Sequence, residues 1–271
     1  MIKTKIISIY LIFTLSAYII FAESGNRTIK NDAFTFGEKL EYKVGMISGP
    51  MKGLGGSGGI SISNTKKQFT NSAKEKRDCY DILFWVNSEG LVDMLYSVND
   101  KYRTLVDVAG IFPYEFHQRI REGSYKKDFK ATFDQLNNTA IVGNNKYKVE
   151  DNIQDVLSAL YYFRTFDLSK KKNGDVIELS NFYKDSVYKL PVKIVKREII
   201  KVPAGKFKTI LVQPLVAEGG LFKFNNTISI WITDDDKKIP VKVATSIVIG
   251  DVGAELKKYS GIKGKITAKI D

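Results

Sequence analysis

Apolar and polar side chains alternate along much of this chain, and this period of two constrains its fold more than any other feature. In the segment 40–47, Leu40, Tyr42 and Val44 alternate with Glu41 and Lys43. Such alternation is typical of half-buried strands that have one solvated face. The same pattern recurs in three later segments, 226–234, 241–249 and 262–270.

Turn-forming residues separate the alternating segments. They occur at Asn173–Gly174, Pro203–Gly205, Glu218–Gly220 and Asp234–Lys238. Neighbouring strands joined by short turns favour an antiparallel meander over βαβ units. We therefore predict about nine to twelve strands in one mainly β domain.

The segment Asp151–Phe166 has a different period. Its apolar residues recur at spacings of three and four, which predicts an amphipathic helix of about four turns. Asp151 or Asn152 is placed to cap its start. The residues expected to face inward are Ile153, Val156, Leu157 and Leu160. A lone helix in a β protein commonly covers a sheet face or plugs an open end.

The N-terminus has the pattern of a secretory signal. Lys3 and Lys5 precede 17 uncharged and mostly apolar residues, and charge returns at Glu23. A basic start, a short apolar core and a small final residue characterise signal peptides. We expect residues 1–22 to be a signal peptide, residues 23–271 to be the mature domain, and the protein to be exported to the periplasm or envelope. Ile20 fits a cleavage site poorly, so an uncleaved N-terminal anchor is the alternative.

Composition narrows the classes of partner. Cys79 is the only cysteine, so no intramolecular disulfide can form, and it is expected to pack as a small apolar side chain. The net charge of +12 comes mainly from lysine pairs dispersed along the chain. No arginine cluster or recognition motif accompanies them, so we do not expect nucleic acid to bind. A solvated basic face is the expected outcome, with attraction to anionic surfaces as the alternative.

A glycine-rich stretch mimics a nucleotide-binding motif. Gly49–Gly59 contains six glycines, of which Gly53, Gly55 and Gly58 match GxGxxG. That motif requires a following helix to receive a pyrophosphate, but the next residues are typical of a strand. A flexible hairpin loop is the preferred interpretation, with a mobile flap as the functional alternative.

Catalytic and metal motifs are weak in this sequence. His117 is the only histidine. The sequence contains no GxSxG nucleophile elbow, which would supply the serine for a catalytic histidine to activate. The run Asp234–Asp236 lacks the spacing of a calcium loop and is expected to form a turn. Carboxylate pairs of the glycosidase type leave no spacing to recognise, so a hydrolase remains an alternative. We predict no catalytic, metal or cofactor residues, and the ligand-binding residues remain undetermined.

Seven stretches, in this order, resemble a family of bacterial exported proteins, the domain of unknown function 3108. The resemblance extends from about Phe34 to Leu256. The stretches are Phe36–Val44, Ser97–Arg103, Arg121–Tyr125, Asp155–Arg164, Pro203–Thr209, Trp231–Val241 and Gly250–Leu256.

The resemblance implies a large curved antiparallel sheet, an open or half barrel, with one covering amphipathic helix. Its general shape would be similar to that of periplasmic lipoprotein carriers, and it implies no catalytic residues. Within the matching stretches lie Arg164, Glu198, Trp231 and Asp235. We predict that these four form a buried polar cluster that fixes the helix against the sheet, because a buried charge needs a partner.

The leading functional hypothesis is a non-enzymatic envelope protein whose curved sheet binds an apolar or amphipathic ligand, such as a lipid or a lipid-linked glycan. A half barrel of this size can leave an apolar cavity. One alternative is a structural or assembly factor that docks on another envelope component. The other alternative is an envelope glycan hydrolase.

Overall fold

The computed structural model describes residues 27–215, 227–248 and 250–270. The predicted signal peptide 1–22, the predicted turn Glu218–Gly220 and Ile249 lie outside these residues. The helices are α1 Gly90–Leu95 and α2 Val156–Arg164. The strands are β1 Lys39–Met46, β2 Gly55–Ile62, β3 Lys67–Thr70, β4 Lys76–Ser88, β5 Asn99–Asp107, β6 Pro113–Glu122, β7 Tyr125–Asp134, β8 Thr139–Val142, β9 Asn145–Lys148, β10 Val176–Ile177, β11 Ser180–Tyr183, β12 Ser186–Lys189, β13 Val192–Val202, β14 Gly205–Pro214, β15 Ile228–Thr233, β16 Pro240–Ile247, β17 Gly250–Ser260 and β18 Lys269–Ile270.

One large antiparallel sheet dominates the fold. Its strand order is β10-β13-β14-β15-β16-β17-β1-β2-β4-β5-β6-β7-β8-β9, with β3 beside β4 and β18 beside β14. The edge strands β10 and β9 do not pair with each other in the described residues, so the sheet is open. The mainly β, antiparallel prediction is confirmed. Several strands of two to four residues raise the strand count above the nine to twelve that alternation predicted.

The sheet curves around helix α2. Residues directly opposite one another in antiparallel strands share a face, and Leu40, Ile60, Phe84 and Tyr102 form such a row across β1, β2, β4 and β5. We call their face the inner face. Helix α2 packs on distant parts of the inner face. Its Tyr161 contacts the cluster of Ile60, Ile82 and Val106, and its Phe163 contacts the cluster of Ile194, Ile210 and Ile232.

Helix α2 is shorter than the prediction of Asp151–Phe166. Its N-cap is Asp155, whose carboxylate accepts hydrogen bonds from the Leu157 and Ser158 backbone amides, at 2.7 and 2.9 Å. Ile153 is buried but precedes the helix, and Leu157 is buried as predicted. The residues before Asp155 instead form turns and bridges that bring the chain to the cap.

The Asp155 cap makes the stability of the fold depend on pH. Burial raises the pKa of this carboxyl from 3.8 to about 6, although its hydrogen bonds favour the ionised form. The folded state therefore holds the proton more tightly than the unfolded chain, and stability falls as pH rises from about 4 to about 6, by roughly 3 kcal/mol. Asp155→Asn should abolish this fall while keeping a cap. Urea unfolding of both proteins across this range checks it, and equal pH dependence would contradict it.

Arg164 holds α2 to the sheet near the β15–β16 turn, but its partner differs from the prediction. Its guanidinium donates two hydrogen bonds to the buried Glu38 carboxylate, at 2.6 and 2.7 Å. It also donates to the carbonyls of Ala33 and Lys237. Both charged side chains are at most 1% exposed. The ion pair thus joins α2, the segment before β1 and the β15–β16 turn.

The predicted four-residue cluster was therefore wrong in composition. Glu198 accepts a hydrogen bond from the Trp231 indole at 2.8 Å, on a partly exposed surface. Asp235 caps the β15–β16 turn by accepting hydrogen bonds from the Thr233 hydroxyl and the Lys237 amide. Neither carboxylate pairs with Arg164, because Glu198 is bonded to Trp231 and Asp235 is bonded within the β15–β16 turn and to the Ala268 amide.

The glycine-rich stretch is largely a strand. Strand β2 begins at Gly55 and includes Gly56, Gly58 and Gly59, which corrects the prediction of a flexible loop through Gly59. A Cβ on Gly59 would lie 2.3 Å from the Trp85 ring, so this glycine makes room for the indole. Residues Gly58–Ile62 continue β2, so the strand predicted after the glycines is present where the nucleotide-binding motif would need a helix.

The C-terminal alternating segment 262–270 is not one strand. Only β18, at Lys269–Ile270, pairs with the sheet. Gly261 and Gly264 adopt positive φ angles of 65° and 75°, which turn the chain and interrupt an extended conformation. Ile266 is nevertheless buried, in a core cluster with Val241 and Leu256 of the sheet.

Candidate ligand-binding face

The inner face is sealed at one end and exposed at the other. We call the end near the β15–β16 turn the lower end and the end near the β1–β2 connection the upper end. In the lower half, Val241, Leu256 and Ile232 are fully buried. One level higher, Val243, Ala254 and Ile230 stand opposite one another and are only half-buried. The burial of inner-face residues thus declines towards the upper end.

The half-buried apolar residues form a wall, which Thr245 interrupts between Ile228 and Val252. Val44 of β1 stands opposite Ala254, and Val252 and Ile228 occupy the next level. We call this set the apolar wall: Val44, Ile228, Ile230, Val243, Val252 and Ala254. Along each strand these side chains alternate with residues of the outer face, and they offer apolar surface at the mouth of the curved sheet.

The opposite side of the inner face is polar. Asp100 and Glu122 lie together at the upper end of β5 and β6, and the Arg121 amide donates to Asp100 at 2.8 Å. Lys127 donates to the Tyr183 hydroxyl at 2.8 Å. That hydroxyl donates in turn to Gln118 at 3.1 Å. We call Asp100, Gln118, Glu122 and Lys127 the polar wall.

The two carboxyls of the polar wall share a poorly solvated site. Burial raises the pKa of Asp100, and burial together with the Asp100 charge raises the pKa of Glu122. Asp100 already accepts a hydrogen bond from the Arg121 amide. The pair is suited to hydrogen-bonding a polar group of a ligand.

Residues that the sequence singled out lie elsewhere. His117 is on the outer face of β6, between Arg103 and Lys130 of the adjacent strands, with its Nε2 3.7 Å from Asp128. Cys79 is buried, and burial raises the pKa of its thiol to about 12, which makes it unreactive as a nucleophile. In the described ranges there is no group of three acidic, histidine or cysteine side chains able to hold a metal.

Sequence reasoning gave the alternating strands but missed the two walls. Both walls consist of residues from strands that are far apart in sequence, such as Val44 and Val243. One signal in the sequence could have revealed the polar wall. Asp100, Gln118 and Glu122 occupy strand positions that face inward, where apolar residues are usual. Within the described part of the chain, no helix has the length and apolar character to cross a membrane.

A family model for proteins of unknown function, DUF3108, matches residues 52–257, about three quarters of the chain. The protein belongs to the DUF3108 family. The matched residues include both walls except Val44, whereas Glu38 precedes them. No curated protein matched the sequence.

Two solved bacterial structures are similar to this DUF3108 protein. One is a beta-barrel-like protein of the domain of unknown function DUF1849 from Brucella abortus, with a TM-score of 0.52 and 10% identity, covering 85% of this chain and 99% of that chain. The other, from Bacteroides fragilis, is described as an inferred exported protein with a YmcC-like fold. Its TM-score is 0.29 at 11% identity, covering 86% and 99% of the two chains. The first similarity supports the fold alone, because the identity is low. The TM-score of the second is too low to support a shared fold.

Proposed function

We propose that this DUF3108 protein is a non-enzymatic, exported envelope protein that binds an amphipathic ligand on its inner face. The apolar part of the ligand packs against the apolar wall, and its polar part reaches the polar wall. The decline in burial from Val241 to Val243, and from Leu256 to Ala254, carries this proposal. Export is supported by the charge and hydropathy pattern of residues 1–22.

A lipid-like ligand suits this face because the walls differ in character. Apolar surface that is half-exposed gains about 25 cal/mol for each Å² that a ligand removes from water. The polar wall supplies both acceptors, Asp100 and Glu122, and the donor Lys127. Ligand sites commonly combine apolar walls with a few polar groups that fix orientation.

A pair of substitutions on opposite faces tests the proposal. Val243→Asp places a charge in the apolar wall, and it should weaken binding of cis-parinaric acid at least about tenfold. Val176→Asp, on the outer face of β10, should bind as the wild type does, because Val176 is exposed on the other face. Fluorescence titration of delipidated protein measures both affinities.

A second variant distinguishes loss of binding from unfolding caused by the charge that Val243→Asp introduces. Ala254→Phe fills the same space without adding charge and should also reduce binding. Circular dichroism confirms that each variant is folded. Failure of the wild type to bind the probe, or equal affinities for the inner-face and outer-face variants, would refute the proposed function.

A further inference from the structure

Large apolar side chains are concentrated at the upper end of the sheet. Helix α1 buries none of its residues, and Leu91, Met94 and Leu95 are 68%, 83% and 87% exposed. Tyr96 follows the helix, and Met51 and Leu54 project from the neighbouring β1–β2 connection. We call these six residues the apolar rim.

The two parts of the apolar rim are physically joined. The Glu89 amide, at the start of α1, donates to the Gly55 carbonyl at 3.1 Å. The Ser57 hydroxyl also donates to the Glu89 carboxylate. Single exposed apolar residues are normal on protein surfaces, but a contiguous patch marks an interaction site. Since α1 contributes nothing to the core, its leucines and methionine have no structural explanation.

A basic cleft adjoins the apolar rim on the outer face. The cleft has a volume of about 890 Å³, and Leu91 and Val92 line it together with Lys43, Lys257 and Lys258. Its carboxylates are Glu41, which pairs with Lys39 at 2.6 Å, and Glu89. Lys52 lies beside Met51 in the β1–β2 connection. A third carboxylate, Asp93, lies in α1 and accepts a hydrogen bond from the Ser88 hydroxyl. Four lysines therefore face three carboxylates around the apolar residues, and one of these carboxylates is already paired with Lys39.

We propose that the apolar rim and its basic cleft dock this protein on the surface of a lipid bilayer that contains anionic headgroups. The apolar side chains enter the headgroup–acyl boundary, and the cleft lysines contact the anionic headgroups. Apolar residues flanked by lysines are the composition of interfacial membrane-binding segments, and each lysine near an anionic surface adds attraction. The apolar residues project from separate connections at one end of the sheet, which suits a planar surface better than an extended peptide. The inference goes beyond ligand binding by naming the membrane as a partner.

Co-sedimentation with vesicles tests the docking surface. The wild type should pellet with vesicles of phosphatidylcholine containing about 30% phosphatidylglycerol, and much less with phosphatidylcholine alone. Met94→Glu/Leu95→Glu should lower binding at least about tenfold, because two side chains lose favourable transfer out of water. The matched control is Val176→Glu/Ile199→Glu, which changes exposed apolar residues away from the rim and should bind normally. Lys257→Gln/Lys258→Gln should reduce the salt sensitivity of binding.

Each contrary outcome overturns the docking proposal. It is wrong if the wild type pellets with neither vesicle, or if the rim variant pellets as the wild type does. It is also wrong if vesicle binding is absent and the rim substitutions convert a dimer to a monomer, which would assign the rim to a second copy of the chain. Val243→Asp should still bind vesicles and the rim variant should still bind cis-parinaric acid, so failure of one proposal is distinguishable from failure of the other.

Discussion

Arg164→Ala is expected to lower the melting temperature by about 10 °C. The substitution leaves the Glu38 carboxylate fully buried without its cation, and removing one partner of a buried pair costs about 3–5 kcal/mol. It also leaves the Ala33 and Lys237 carbonyls without the guanidinium that donates to them. Differential scanning calorimetry measures the effect. Glu38→Gln should destabilise the protein in the same direction.

Arg103→Ala is the matched control for the loss of an arginine ion pair. Arg103 also makes a two-bond contact with a carboxylate, that of Asp81, but its side chain is 57% exposed. Exposed pairs contribute about 0–1 kcal/mol, so the melting temperature should change by only a few degrees. Equal losses for the two arginine variants would show that the buried pair does not hold α2 in place.

The regular parts of this fold were predictable because their signals are local. Alternation depends only on residues two positions apart, so Leu40, Tyr42 and Val44 indicated a strand whatever lay opposite them. The same argument failed at 262–270, where Gly261 and Gly264 interrupt an otherwise alternating segment. Alternating side chains therefore predict which residues would share one face of a strand, whereas the backbone conformation decides whether the segment forms a strand at all.

The contacts of Arg164 were not predictable in the same way. Its partner Glu38 is 126 residues away in sequence, and both side chains lie among apolar neighbours. The sequence indicated that a charge on the inward side of a helix needs a partner, but several acidic residues could supply it. Only the path of the chain before β1 brings Glu38, rather than Glu198, to the helix.

The apolar rim was missed for a different reason. Helix α1 has six residues, which is too short for helical periodicity to be recognised. Leu91, Met94 and Leu95 follow directly after the alternating residues of β4 and resemble a continuation of the core. Apolar character is the same signal for a buried residue and for an exposed interaction site, so only the structure separates them.

The two ends of the sheet have different physical roles. At the lower end, Val241 and Leu256 are fully buried in a core cluster with Phe207 and Ile266, and the Glu38–Arg164 pair is buried as well. At the upper end, the same strands carry Val243 and Ala254 into a half-exposed environment beside the apolar rim. A ligand taken from a bilayer would thus meet the rim first and the inner face next, without disturbing the residues that stabilise the fold.

Gly45→Ala is expected to destabilise the protein by more than about 3 kcal/mol, because it combines two independent penalties. Gly45 has a φ of 137°, which L-residues rarely adopt. A Cβ at this position would also lie 2.2 Å from the Leu54 carbonyl oxygen and 2.5 Å from the Gly55 Cα, both of them backbone atoms that cannot move aside. The β1–β2 connection would have to shift, and the melting temperature should fall by roughly 5–10 °C.

Gly143→Ala provides the matched control because it carries only one of the two penalties. Gly143 has a φ of 58°, but a Cβ there would meet no atom within 4 Å. Its cost should be about 1–2 kcal/mol, the price of a left-handed conformation for an L-residue. If Gly45→Ala proves no more destabilising than Gly143→Ala, the close approach of the two backbone segments is not needed to hold β1 and β2 together. The larger loss would show that Gly45 permits the tight connection from which Met51 and Leu54 of the apolar rim project.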